Sequence, residues 1–384
     1  MLYTTLWAIN IAVCLLYIHY FVLYIKHWKA LPYFNIQEKD YAPRTFISVL
    51  IPVRDEEDTI LPCIYSILAG NYPKNLFEII VIDDHSSDNT PQYVRDLNHS
   101  QVHLVELRHH VQPLENQPFK KKAIEAAIGQ AKGDLIVTID GDCVAQPLWL
   151  TLIAAFYETC GKRFIAAPVS FHQETSFFER FQSLDYIGMM GVTGAGVQGN
   201  LTHICNGANL AYEKKLFYEV GGFKGIDHVA SGDDVLLMQK VVRFHPKAVG
   251  FLKNYDATVF TKAKPTLEEF YNQRMRWATK SSSYTEFVTV LQLLVVFVFC
   301  GSILTSLCLS IFYDIKYIVF PCLFLFIKIL FDYIFLRILT RFFKREALMN
   351  DFLLSQLCHI VYIIVIGFWS NVRKKYVWKG RVVK

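Results

Sequence analysis

The sequence predicts an α/β domain on a largely parallel sheet, carried between helices that cross a membrane. Three observations predict it. Short runs of β-branched and apolar residues alternate with helical patterns between Arg44 and Lys280, as in a buried sheet covered on both faces. Of the 384 residues, 53% are hydrophobic, and the excess sits at Leu2 to Ile25 and in three blocks after Glu286. Acidic and polar residues collect just past the strand-like runs, at the edge where open α/β sheets bind ligands.

The first apolar run has no basic residue before it and no small-residue cleavage site after it, so it reads as an uncleaved anchor rather than a signal peptide. Lys26, His27, Lys29 and Arg44 follow directly. The positive-inside bias then puts the N-terminus outside and the globular part in the cytoplasm. The boundaries expected are an anchor at 1–28, a catalytic domain at 44–265, an amphipathic helix at 266–284, membrane helices at 285–371 and a basic tail at 372–384.

Within the domain, Phe46 to Val53 reads as a buried strand and Thr59 to Gly70 as a helix. Phe77 to Asp83 is a second strand, followed by a helix with Pro91 in its first turn. Val102 to Leu107, a helix from about Lys121 to Ala131, and Leu135 to Asp140 continue the alternation. Beyond that the pattern loosens. Phe177 to Met190 looks helical, Gly191 to Asn200 reads as a glycine-rich loop, Cys205 to Tyr212 leads into a helix, and Ser231 to Asp234 opens another. Leu267 to Lys280 reads as an amphipathic helix before the membrane.

The composition excludes several classes. The nine cysteines form no C-x-x-C and no zinc spacing, and Cys14, Cys300, Cys308, Cys322 and Cys358 lie in apolar blocks as small hydrophobes. The net charge is only +5, and much of it flanks apolar segments. That suits anionic lipid head groups rather than nucleic acid.

Four motifs carry the candidate chemistry. In DDHSSDNT, Asp84 lies just past a strand and suits a nucleobase N–H, while Asp88 or Thr90 suits a helix cap. In IDGDC, Asp140 and Asp142 make either a hard-cation site with phosphate and water or a plain strand-ending turn. In SGDD, one carboxylate caps a helix and the other suits a general base on an acceptor hydroxyl. In QRMRW, Arg274 and Arg276 read either as a basic face on lipid phosphate or as a guanidinium fork for a diphosphate.

The collinear order P-V-R-D-E, D-D-x-S-x-D-x-T, K-K-x-A, D-x-D, G-A-N, G-G-F, G-D-D and Q-x-x-R-W resembles family 2 glycosyltransferases of the GT-A fold. It covers about Phe46 to Trp277 and is closest to the membrane-embedded branch that includes ceramide glucosyltransferases and carotenoid and hopanoid glycosyltransferases. The closing Trp378 to Arg381 is similar to a tail of bacterial lipid glycosyltransferases. The resemblance implies an α/β GT-A domain, a Rossmann-like mixed sheet, plus transmembrane helices.

It also implies roles. Pro52, Val53, Arg54 and Glu56 fall where the family holds the nucleotide, and Asp84 where it contacts uracil. Lys120 and Lys121 fall near the nucleotide phosphates, although Phe119 stands in place of the family's glycine. Asp142 matches the metal-binding residue, for Mg²⁺ or Mn²⁺, and Asp140 faces ribose or sugar. Gly207 to Asn209 falls on the acceptor side. Asp234 matches the general base, with Asp233 in place of the usual glutamate. Gln273, Arg276 and Trp277 match the signature that closes over diphosphate and acceptor.

The expected reaction is inverting transfer from a nucleotide-diphospho-sugar, UDP-linked, to a lipid or membrane-associated hydroxyl. Alternatives are a processive polysaccharide synthase and an inactive nucleotide-sugar-binding protein. The topology holds a conflict, because Arg341, Lys344, Arg345 and the tail are all basic and both ends of the last block ask to be inside. A re-entrant or interfacial last block resolves it. Within the middle block, Lys328 and Asp332 are i,i+4 and are expected to pair.

Overall fold

The computed structural model describes residues 2–36, 41–109, 119–227, 229, 232–372, 376–378 and 381–383. In chain order the elements are α1 (Leu2–Ala30), β1 (Ile47–Val53), α2 (Ile60–Leu68), β2 (Phe77–Asp83), α3 (Thr90–Asp96), β3 (Val102–Glu106), α4 (Phe119–Gln130) and β4 (Leu135–Thr138). Next come α5 (Trp149–Cys160), β5 (Phe164–Ala166), β6 (Val169–Phe171), α6 (Phe177–Gly199), β7 (Leu210–Glu213), α7 (Lys214–Glu219), α8 (Val235–Phe244), β8 (Val249–Phe251) and β9 (Val259–Thr261). The chain continues through α9 (Leu267–Thr279), α10 (Phe287–Phe312), α11 (Val319–Phe342) and α12 (Phe352–Val372), and closes on β10 (Tyr376–Trp378) and β11 (Arg381–Val383).

These elements form two compact units. One contains residues 1–31, 174–202 and 263–374, and the other residues 32–173, 203–262 and 375–384. Residues 174–202, inside the expected 44–265 segment, therefore belong to the helical unit.

The second unit is built on a seven-stranded sheet of order β3-β2-β1-β4-β7-β5-β8. Strands β1 and β2 pair in parallel, with Val53 opposite Asp83, and β1 pairs in parallel with β4, with Leu50 opposite Thr138. Nearly every residue of β1, β2 and β4 is buried, which explains their unbroken apolar sequence. The sheet is largely parallel, as its sequence predicts. It is also mixed, as the family resemblance implies, because strand β7 runs antiparallel to both β4 and β5. Only four residues long, β7 follows a turn at Gly207–Asn209 and carries no β-branched run to announce it. A parallel pair, β6 and β9, forms a separate small sheet.

The helical unit contains α1, α6 and α9 to α12. Four of its segments, Trp7–Ala30, Phe287–Phe312, Ile315–Phe342 and Glu346–Val372, are long and apolar enough to cross a membrane. Tyr17, Phe299, Cys300 and Phe324 pack in its core, while Leu15, Ile311, Phe312 and Phe326 are exposed. Apolar residues on all sides are the pattern of helices that are long and apolar enough to cross a membrane. The last block is one unbroken helix of 21 residues, not the broken backbone of a re-entrant loop.

The glycine-rich stretch is also corrected. It is not a loop but the second half of α6, a helix of 23 residues capped by Ser176. A Cβ at Gly191 would collide with Leu339 of α11. Glycine serves here as the small residue that lets two helices approach closely. The pairing of Lys328 with Asp332 holds at 2.5 Å, and both are buried. Lys328 also donates to Gln356 at 2.7 Å, and Asp332 accepts from Tyr17.

Candidate active site

Because β1, β2 and β4 are parallel and in register, their carboxyl ends bring Arg54, Asp84 and Asp140 to one edge of the sheet. The loops there are tied together. The Arg54 guanidinium donates to the carbonyls of Asp84 and His85 at 2.8 and 3.2 Å. The amides of Glu56 and Glu57 donate to Thr90 and Asp88 at 2.8 and 3.0 Å. Asp88 also accepts the Thr90 amide at 3.0 Å, one residue before the cap position of α3, which is Asn89 and makes no side-chain capping bond. Burial opposes the Asp88 charge, but hydrogen bonds from Thr90 and the Glu57 amide outweigh it and hold the carboxyl below its usual range.

The neighbouring Asp83 is fully buried and accepts from the Ser86 amide at 3.2 Å. Burial raises its pKa, against the pull of Ser86 and Arg108. Asp83 thus holds the turn. Asp84, on the far side of the strand end, hydrogen-bonds the His85 ring at 3.1 Å. Pro52 and Val53 end β1 beneath this loop, and Glu56 accepts from Thr59 at 2.9 Å.

Past β4, Asp140 and Asp142 are both partly exposed on either side of buried Gly141. A Cβ at Gly141 would lie 2.7 Å from a Val53 methyl, so glycine is what lets this turn close over the end of β1. Among the described residues, no lysine, arginine or histidine forms an ion pair with Asp142. The buried thiols of Cys63 and Cys143 have raised pKa values, first from burial and then from the charges of Asp142 and Asp140. Negative charge is therefore concentrated at this turn.

Among the described residues no group of three or more histidine, cysteine, aspartate or glutamate side chains could cage a metal. Magnesium-type ions do not need such a cage, since they complete their shell with water and substrate phosphate. One or two carboxylates at such a turn fit that mode.

The Asp233–Asp234 motif adjoins the same edge. Asp234 caps α8 by accepting the Val235 amide at 2.7 Å, and its other oxygen accepts the Gly207 amide at 3.2 Å. The Gly207 carbonyl in turn accepts the Thr138 hydroxyl at 2.6 Å. Asp234 is thereby linked to the last residue of β4, two residues before Asp140. Asp233 is more exposed than Asp234, which is 9% exposed.

Two assignments change. Lys121 is 1% exposed and donates to the carbonyls of Ile226 and Val229 at 2.6 and 2.8 Å. Its ammonium is committed to the loop leading to Gly232–Asp234, not offered to phosphate. Asn209 is fully buried, donating to Pro168 and Ala257 at 2.7 and 2.8 Å and accepting from Trp149 at 2.9 Å. Its amide is saturated and does not line an acceptor surface. The side chains of Lys120 and of the 378–381 tail, and residue Ser231, lie outside the described residues.

Gln273, Arg276 and Trp277 lie on α9 in the helical unit. Within that unit Gln273 Oε1 is buried without a hydrogen-bond partner among the described residues, and Trp277 packs on Tyr186 with ring centroids 5.8 Å apart. Arg274 is buried, its Nη2 2.9 Å from Asp185. Neither the lipid-facing nor the diphosphate reading fits Arg274. Asp185 and Tyr362 went unnoticed in the sequence, because a lone aspartate or tyrosine in a helix carries no local signal.

A mixed sheet with acidic and polar residues at its carboxyl edge, and with Asp234 bridged to that edge through Gly207, is an arrangement that suits a nucleotide-sugar transferase. The chain belongs to the family 2 glycosyltransferases: the model "Glycosyl transferase family 2" matches residues 48–221 and "Glycosyl transferase family group 2" residues 135–369. A mannosyltransferase from Pyrobaculum calidifontis, solved with GDP-Man and Mn²⁺, shares the fold at a TM-score of 0.58 and 17% identity, covering 92% of this chain and 97% of that one. Glycosyltransferase AglE of Haloferax volcanii is 26% identical over 50% of this chain and 59% of its own length. A poly-β-1,6-N-acetyl-D-glucosamine synthase of Staphylococcus epidermidis is 23% identical over 60% of this chain and 53% of its own. The chain thus spans little more than half the length of these curated relatives.

Proposed function

We propose that this chain transfers one sugar, with inversion, from a UDP-linked donor to a hydroxyl of a lipid or membrane-associated acceptor at the cytoplasmic face. The observation that carries the reading is the bridge from Thr138 through Gly207 to Asp234, which sets a carboxylate beside the turn bearing Asp140 and Asp142. In this reading Asp84 receives the base N–H, and Arg54 and Glu56 hold the loop around the nucleotide. Asp142 would hold a divalent ion against the donor diphosphate, with Asp140 beside it.

When bound, that ion would supply Lewis-acid neutralisation of the departing diphosphate. The acceptor hydroxyl loses its proton to Asp234 and attacks the anomeric carbon, forming the new C–O bond as the bond to UDP breaks. UDP leaves with the bonding electron pair, and the family resemblance assigns Gln273, Arg276 and Trp277 to the diphosphate and acceptor. Both Asp234 oxygens accept a backbone N–H, from Val235 and Gly207. Attack opposite the leaving group needs one base and inverts the centre.

A β-monoglucosyldiacylglycerol synthase of Trichormus variabilis, 29% identical over 29% of this chain and 23% of its own length, supports a lipid acceptor. The poly-N-acetylglucosamine synthase relatives favour a second reading, processive polymer synthesis. The test is incubation of membranes carrying the chain with labelled UDP-sugars, followed by mass spectrometry of lipid and polymer fractions. A monoglycosylated lipid with an inverted anomeric centre is expected. Label in polymer alone selects the second reading, and no transfer from any donor contradicts both.

A further inference from the structure

Arg274 interrupts the Gln273, Arg276 and Trp277 signature with a charge that the proposed reaction does not use. Its surroundings all belong to the helical unit. Nη2 lies 2.9 Å from Asp185 Oδ2 of α6, an ion pair without hydrogen-bond alignment, and both side chains are at most 5% exposed. The guanidinium sits over the rings of Trp277, Phe270 and Tyr362 at 4.5, 5.0 and 5.7 Å. Asp185 Oδ1 accepts the Tyr362 hydroxyl at 2.6 Å, and the His359 ring lies 3.7 Å away. Three helices, α6, α9 and α12, thus converge on one guanidinium.

We propose that Asp185 is a positioning residue: with Tyr362 it locks Arg274, and the lock fixes the roll of α9 about its axis. Gln273, Arg276 and Trp277 are i, i+3 and i+4 and share one face, while Arg274 lies about 100° around from Gln273. Clamping Arg274 against Asp185 therefore sets the direction in which the signature face points. A buried, unpaired guanidinium is costly, so removing Asp185 drives Arg274 toward solvent and rotates α9 with it. The aromatic packing alone does not supply this, because rings stack with a cation over a broad range of geometry. The inference rests on the reading of Gln273, Arg276 and Trp277 as site residues.

The test uses the full chain in lipid nanodiscs, with two readouts. Amide hydrogen exchange is followed in residues 267–279 for wild type, Asp185→Asn, Tyr362→Phe and Asp185→Asn/Arg274→Met. Turnover is followed as UDP released from UDP-glucose and UDP-N-acetylglucosamine. Asp185→Asn is expected to speed exchange in α9 about tenfold while exchange in β1 and α10 stays as in wild type. It also lowers kcat at unchanged donor KM. Tyr362→Phe, which keeps both charges, gives a smaller change in the same direction. The double variant restores slow exchange, because no charge is left unpaired.

Exchange in α9 that is unchanged, or raised only together with β1, overturns the lock. So does an unaltered kcat per folded molecule in Asp185→Asn. The absence of UDP release by wild type counts against the glycosyl-transfer reading instead, and the exchange readout still decides the lock by itself.

Discussion

The Gly207 amide donates to Asp234 Oδ2 at 3.2 Å, joining the turn before β7 to the N-terminus of α8. That hydrogen bond positions a carboxylate that would otherwise serve only as a helix cap. In the proposed reaction a base must be oriented toward one proton, and two backbone donors orient Asp234.

Asp234→Asn therefore separates chemistry from folding, since asparagine still caps a helix. The variant keeps the cap through its amide oxygen but loses the acceptor for the Gly207 amide. Its thermal midpoint should fall slightly, its affinity for UDP should hold, and transfer should fall by about 10²–10⁴-fold. Asp233→Asn should be milder. Binding and turnover measured on the same purified samples decide the matter. A dead Asp233→Asn beside an active Asp234→Asn would move the base by one residue.

Lys121 yields the opposite pattern. Replacing it with methionine removes the ammonium donor from the part-buried carbonyls of Ile226 and Val229, a loss of about 0.5–1.5 kcal/mol per hydrogen bond. Thermal unfolding should shift down accordingly, and UDP affinity should stay near wild type. A tenfold loss of UDP affinity without loss of stability would return Lys121 to the phosphates.

Asp88 makes stability depend on pH. Its folded pKa is depressed, whereas the unfolded carboxyl titrates near about 3.9. The stabilisation is thus fully present above that unfolded value and is lost as pH falls through the folded one. Thermal midpoints of wild type and Asp88→Asn, compared from neutral pH down to the onset of acid unfolding, should differ most at neutral pH and converge in acid. A constant gap would mean that the side chain acts by hydrogen bonding without its charge.

Legibility in the sequence followed burial. Strands β1, β2 and β4 are covered on both faces, and nothing but an apolar run satisfies that environment, so they could be read directly. Strand β7 is too short to show a period, and the glycines of α6 looked like a loop because glycine's small size and its flexibility leave the same mark in a sequence. The edge residues Asp84, Asp140 and Asp142 were legible from their place after a strand. What Lys121 and Asn209 do was not, since a buried lysine or asparagine takes its role from carbonyls about 40 to 110 positions away.

The central claim is donor-dependent transfer that needs a divalent ion held at Asp142. Its most direct measurement is sugar transfer by the purified full chain, across a series of UDP-sugars with a membrane lipid extract as acceptor. Wild type is assayed with added Mn²⁺ and again with excess chelator, and Asp142→Asn is assayed alongside. Transfer by wild type with Mn²⁺, lost in chelator and absent in a folded Asp142→Asn, is the expected result. Full activity in excess chelator, or in Asp142→Asn, would contradict the account.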